Sequence, residues 1–108
     1  MKQGDIIWVD FDPIKGREQA GYRPALVISQ TAYNQKRNMA FICPITSHTR
    51  PLRLRVRLDD RTHTQGDIVC EQVRVIDLLA RPCKVVEPLP KDLLRQVLGA
   101  VSAIIALE

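Results

Sequence analysis

"GDIIWVDFDPIKGREQAGYRPALVIS", residues 4–29, decides the fold. Its first part alternates, with Ile7, Val9 and Phe11 on one face and Ile6, Trp8 and Asp10 on the other, which is the period of a β-strand, and Pro13 ends it. Its last part, "PALVIS", is a short run of strand formers. The connection, "PIKGREQAGYRP" (residues 13–24), carries Arg17, Glu18, Gln19, Tyr22 and Arg23 and is flexed by Gly16 and Gly21. An Asn-Gly turn is enough to join two strands, so this loop holds more donors and charge than a connection needs. A solvated loop with a surface ion pair is the plain alternative.

Outward from there, "MAFICPIT" (39–46) is apolar enough for a second central strand, and "QTAYNQKRN" before it reads as a connection with a helical turn. In "PLRLRVRLDD" (51–60) strict alternation predicts Leu52, Leu54, Val56 and Leu58 inward and Arg53, Arg55 and Arg57 outward, with a turn at Asp59-Asp60. "GDIVCEQVRVID" predicts one more strand or a pair, and "CKVVEPL" the last. From Pro90 the period changes, because Leu93, Leu94, Val97, Leu98, Val101, Ile104 and Ile105 follow a wide helical face. Pro90 suits the first helical turn, which makes Leu89 the N-cap, and Asp92 complements the positive helix end. The expectation is a mainly β protein of five to seven short strands in a small, curved, barrel-like sheet, closed by one C-terminal helix.

A chain of 108 residues predicts one domain over 1–108, and a large active site in so small a domain calls for a second subunit, most simply in a symmetric dimer. Sixteen Lys and Arg against twelve Asp and Glu give a net charge of +4, a modest excess that favours polyanionic partners. No run of eighteen apolar residues appears, and Met1 leads straight into strand-like sequence, so the expected location is the cytoplasm with no membrane partner. Cys43, Cys70 and Cys83 form no C-x-x-C pair and sit among apolar neighbours, which predicts buried free thiols rather than metal ligands. There is no phosphate-cradling Gly-rich loop, no G-x-S-x-G and no H-E-x-x-H, so neither a metal nor a cofactor is expected.

Three groups of side chains stand out. The first is the opening loop. The second is "TSHTR", residues 46–50, where Thr46, Ser47, His48, Thr49 and Arg50 gather as a strand leaves the core. His48 is a candidate proton carrier, and a plain turn explains the segment equally well. The third is the Arg53, Arg55 and Arg57 face, whose pitch of about 6.6 Å lets guanidiniums follow successive phosphates. Its alternative is edge-strand protection, or pairing with Glu87 and the Asp59-Asp60 turn.

Together the groups suggest single-stranded RNA, which carries its own nucleophile in the 2′-hydroxyl. A carboxylate such as Glu18 can take that proton, a guanidinium such as Arg23 can hold the phosphoryl oxygens in bidentate fashion, and a hydroxyl such as Thr46 can add a hydrogen bond. Arginine is a poor proton donor, which leaves the acid for the 5′-oxygen open.

The same residues resemble the MazF/PemK toxins, the ribonuclease halves of bacterial type II toxin–antitoxin pairs. The likeness runs from "GDIIWVDFDPIKGREQAGYRPALVIS" through "YNQ", "PITS" and "CEQVRVIDLLAR" to the helix. The resemblance implies an SH3-like β-barrel of the MazF/PemK/CcdB type, a homodimer, and metal-independent, sequence-selective cleavage of single-stranded RNA to 2′,3′-cyclic phosphate and 5′-hydroxyl ends. It places the family's loop arginine, loop glutamate and strand-end threonine at Arg23, Glu18 and Thr46. The working histidine, arginine and aspartate of the PemK branch fall at Arg17, Val69 and Glu71, where this chain departs at the first two and keeps only a carboxylate at the third. Gln72 and Arg74 match positions beside the RNA groove, Arg17, Gln19, Ser47, His48 and Glu71 complete the expected substrate contacts, and Arg53 and Arg55 are this chain's own electrostatic addition to them. The implied partner is an antitoxin whose acidic, disordered tail covers the RNA site. Two rivals remain at this level: a toxin of the same fold that traps a protein such as DNA gyrase, as CcdB does, and a plain RNA-binding module.

Overall fold

The computed structural model describes residues 1–11 and 21–108. The expected contacts Arg17 and Gln19 and the expected base Glu18 lie outside the described residues. The elements are β1 (Asp5–Asp10), β2 (Tyr22–Val27), α1 (Thr31–Arg37), β3 (Met39–Thr46), β4 (Arg55–Arg57), β5 (Asp67–Val69), β6 (Arg74–Asp77), β7 (Cys83–Pro88) and α2 (Lys91–Ile105). The pairings among them are antiparallel, in the order β4-β5-β3-β2-β1-β7, with β6 also on β3.

β3 organises this arrangement because it serves two sheets. Met39–Ile42 pair with β6, while Ile45 and Thr46 pair with β5. The central strands are apolar on both faces, and each face has its own core. Ile6, Leu26, Cys43, Ile45, Ile68 and Cys70 pack with Leu93 and Val97 of α2. Ile7, Val9, Ala25, Val27, Ile42 and Ile76 form the other cluster. Trp8 breaks the apolar burial of β1, at 43% exposure.

Among the described residues the sheet is not closed by backbone pairing, since β4 and β7 end its path. Side chains join them instead: the Glu87 carboxylate on β7 accepts from the N–H groups of His63 (3.0 Å) and Thr64 (2.8 Å) and from the Thr64 hydroxyl (2.7 Å). Arg61 in the same loop reaches Asp92 in the first turn of α2 at 2.9 Å.

Several local expectations change. β4 is three residues long rather than the whole "PLRLRVRLDD" run: Leu52 is exposed, and only Val56 and Leu58 of the leucine and valine series are buried. Pairing stops there because β5 supplies just three residues between Gly66 and the turn after Cys70. The charge partner of that run is Asp67, whereas Glu87 and Asp59 bond other groups. The connection before β3 is a seven-residue helix, closed by Asn38 in the left-handed conformation (φ 52°). Pro90 is itself the N-cap of α2, and the apolar face of that helix is covered only as far as Val101, leaving Ile104 and Ile105 exposed.

Cys43 and Cys70 are buried as expected, whereas Cys83 is partly exposed, and all three are free thiols. Burial, with a smaller contribution from Cys70, pushes the Cys43 thiol up to about 12, so it stays protonated. Among the described residues no helix is long and apolar enough to cross a membrane.

Candidate active site

Register brings the two residues of greatest chemical interest together. Ala25 pairs with Pro44, Leu26 with Cys43 and Val27 with Ile42. The β2–β3 pairs end at Ala25–Pro44, so Arg23, just before that end on β2, and Thr46, just after it on β3, leave the pair on the same side. Both line an open groove of about 870 Å³, together with Trp8 of β1 and Phe11 just after it, Ser47 and His48 beyond β3, and Gln72 and Arg74 at β6.

Each wall is held by identifiable contacts. The Thr46 hydroxyl accepts the His48 N–H at 3.1 Å, which folds the segment back and leaves the hydroxyl proton able to donate elsewhere. Arg23 donates through Nη1 to the carbonyl of its neighbour Tyr22 at 2.9 Å. The Arg74 guanidinium lies over the Phe11 ring, 4.8 Å from its centroid, a cation–π contact that holds the charge at the groove wall. Arg81 donates to the Phe11 and Asp10 carbonyls at 2.7 and 3.3 Å and so anchors the base of the opening loop.

Of the expected site residues, Arg23, Thr46, Ser47, His48, Gln72 and Arg74 share this groove. Glu71 is exposed in the turn between β5 and β6 and does not line it. Arg53 is exposed outside it. Arg55 lies behind it, with Nη1 donating to the His48 carbonyl at 2.7 Å and facing Asp67 at 3.4 Å. Arg57 also donates to Asp67. The three arginines therefore do not form one outward row for phosphates.

The groove also contains Trp8, Phe11, Gln65 and Val73, which the reading of the sequence did not single out. Strand alternation assigns Trp8 and Phe11 to faces without saying which face opens to solvent. Gln65 enters from the loop that Glu87 and Arg61 hold, a placement set by tertiary contacts alone. Among the described residues, no three His, Cys, Asp or Glu side chains gather in a way that could hold a metal ion.

Such an arrangement offers a cation and a hydroxyl to an anionic group, with aromatic surface beside them for stacked rings. Residues 2–105 match the family model described as PemK-like, MazF-like toxin of type II toxin-antitoxin system. Endoribonuclease PemK of Escherichia coli is 36% identical over 97% of this chain and 82% of its own length. Endoribonuclease toxin MazF of Escherichia coli K12 is 44% identical over 72% of this chain and 69% of its own. Among solved structures, MazF from Deinococcus radiodurans superposes with a TM-score of 0.86 at 30% identity, covering 99% of this chain and 97% of that one. Its MazE–MazF complex gives 0.86 at 26% identity over 100% and 97%. The chain thus belongs to the PemK-like, MazF-like toxins of type II toxin–antitoxin systems.

Proposed function

We propose that this toxin, read as one domain over residues 1–108, is a metal-independent, sequence-selective endoribonuclease of single-stranded RNA. The observation that carries this reading is that Arg23 and Thr46, from the same end of the β2–β3 pair, line one groove that also holds His48 and Arg74. The substrate brings the nucleophile. Its 2′-oxygen attacks the adjacent phosphorus, the bond to the 5′-oxygen breaks, and the ends are a 2′,3′-cyclic phosphate and a 5′-hydroxyl. Cutting messenger RNA in this way stops translation and growth.

Three tasks follow for the protein. Glu18 takes the proton of the 2′-hydroxyl as general base. Arg23 and Thr46 stabilise the charge that builds on the non-bridging oxygens, an interaction stronger in the transition state than in the ground state. The departing 5′-oxygen needs a proton, and His48 is the groove side chain whose chemistry fits that delivery. Trp8 and Phe11 offer stacking surface, and Arg17, Gln19, Ser47, Gln72 and Arg74 provide the polar contacts that select bases and track the backbone.

A groove with this positive lining is also matched to an acidic antitoxin tail, and the MazE–MazF complexes among the related structures support such a partner. Val73, Val75, Val85 and Val86 leave exposed apolar surface of the kind that a second subunit covers in a homodimer. The cytoplasm, where messenger RNA and antitoxin are available, is the location that fits this work.

The test is incubation of the purified protein with mixed RNAs in EDTA, followed by mapping of the new ends. Recurrent 5′-hydroxyl ends at one short sequence are expected, and Arg23→Ala should lose them while still binding RNA. RNA left intact by a correctly folded protein over many sequences would point instead to a protein-trapping toxin or an RNA-binding module.

A further inference from the structure

Asp67 is a carboxylate at a position where apolar packing would serve stability at least as well. It opens β5, whose other residues Ile68 and Val69 are core, and it is only 1% exposed. A buried carboxylate is costly unless fully bonded, and replacing a buried ion pair by apolar side chains is often neutral or stabilising. What Asp67 does accomplish is local. In the β3–β5 pairing it stands opposite Thr46, and its Oδ2 accepts the Arg50 N–H at 2.8 Å. The same oxygen faces Arg55 Nη1 at 3.4 Å, and that nitrogen donates to the His48 carbonyl at 2.7 Å. Residues 46–50 are therefore tied at His48 and at Arg50, on either side of Thr49, to one buried group behind the groove.

The residue before Asp67 tightens the arrangement. Gly66 has φ +122°, and a Cβ there would stand 2.2 Å from the Thr46 carbonyl oxygen. The start of β5 thus rests directly on the back of Thr46. Burial disfavours ionised Asp67, yet hydrogen bonds from Arg57, the Arg50 N–H and Arg55 outweigh it and hold the carboxyl below its ordinary range.

We infer that Asp67 and Arg55 form a latch that positions Thr46 and His48 for cleavage, and that Arg55 is a positioning residue rather than a phosphate contact. This rests on the ribonuclease reading above. Its test compares Asp67→Ala, Asp67→Asn and Arg55→Gln with the wild type, each also in a Thr46→Val background, using single-turnover cleavage of an RNA oligonucleotide and its binding at several salt concentrations. Asp67→Ala and Arg55→Gln should each slow the chemical step about tenfold or more, with RNA affinity and its salt slope unchanged. Asp67→Asn, which keeps an acceptor for the Arg50 N–H, should recover part of the rate. In the Thr46→Val background the latch substitutions should cost clearly less than in the wild type, because the part of their effect that runs through Thr46 is already removed.

A salt slope that falls by about one in Arg55→Gln would identify a phosphate contact and overturn the inference. Losses that multiply in the Thr46→Val background would overturn it too. Should Asp67→Ala fail to fold, Arg55→Gln carries the test. Amide hydrogen exchange reads the latch without any RNA: protection of the Arg50 N–H should drop at least tenfold in Asp67→Ala and by less in Asp67→Asn, and unchanged protection in Asp67→Ala contradicts the latch. If protection drops while the wild type cleaves no RNA, the tether stands and the ribonuclease reading fails.

Discussion

Arg74 stands on an open groove, its guanidinium laid over an aromatic ring. Arg55, Arg57 and Arg61 instead face carboxylates: Asp67 for the first two, Asp59 and Asp92 for the third. The side-chain type is the same in both regions, but its surroundings assign opposite tasks. At the groove a guanidinium can meet a phosphate, whereas around β4 it already holds an internal counterion. A net charge of +4 therefore does not locate an RNA site; the placement of carboxylates does.

The groove side of the comparison is most exposed to test at Arg23, which shares its lining. Arg23→Ala should reduce single-turnover cleavage about 10²–10³-fold, the usual loss for one donor to a developing oxyanion, with the thermal midpoint unchanged. An equal loss from Arg57→Gln would erase the distinction. Gly66→Ala comes next, since it forces a Cβ onto the Thr46 carbonyl from a left-handed backbone. Denaturant titration should show about 1–3 kcal/mol of lost stability, and cleavage should fall with it.

Arg74→Gln should weaken RNA binding several-fold and lower the magnitude of its salt slope by about one, as measured by titration at graded salt. A slope equal to the wild type would remove Arg74 from the phosphate path. The carboxylates of the other region govern acid stability. Glu87, like Asp67, has its carboxyl held below its usual range, because hydrogen bonds from His63 and Thr64 outweigh burial. A lowered folded-state value means the stabilisation is fully present above the ordinary carboxylate pKa of about 4 and is lost as pH falls through the folded value. Urea unfolding at pH 7 and pH 3 should then show a larger drop for wild type than for Asp67→Asn or Glu87→Gln. The smallest effect is expected for Arg57→Gln, whose side chain is 55% exposed: a slight change in thermal midpoint and no change in cleavage.

Much of this fold is legible in local sequence. β1, β2 and β3 are apolar enough on both faces to be central strands, and the change of period at Pro90 marks α2. β4 is the instructive exception. The alternation of "LRLRVRL" has the period of a long strand, but strand length is set by the partner, and β5 offers three residues. The candidate site divides in a similar way. Arg23 and Thr46 are conspicuous by residue type and position, while the groove they share depends on how β2 and β3 pair. Asp67 and Arg55 are separated in sequence from the segment they tether, so their joint effect appears only when β5 is laid beside β3. Trp8 is legible as a strand residue, and its exposure depends on what covers the sheet.

The most direct test of the proposed chemistry replaces one atom of the substrate. Once the cleavage site is mapped, an oligonucleotide carrying a single 2′-deoxyribose on the 5′ side of the scissile phosphate removes the nucleophile and keeps the other contacts. It should bind with nearly the affinity of the all-RNA strand, compete with it, and remain uncut. Cleavage of the deoxy-substituted strand at the same phosphate would show that the attacking oxygen comes from elsewhere, and would contradict the assignment of Glu18, Arg23 and Thr46 to 2′-hydroxyl attack.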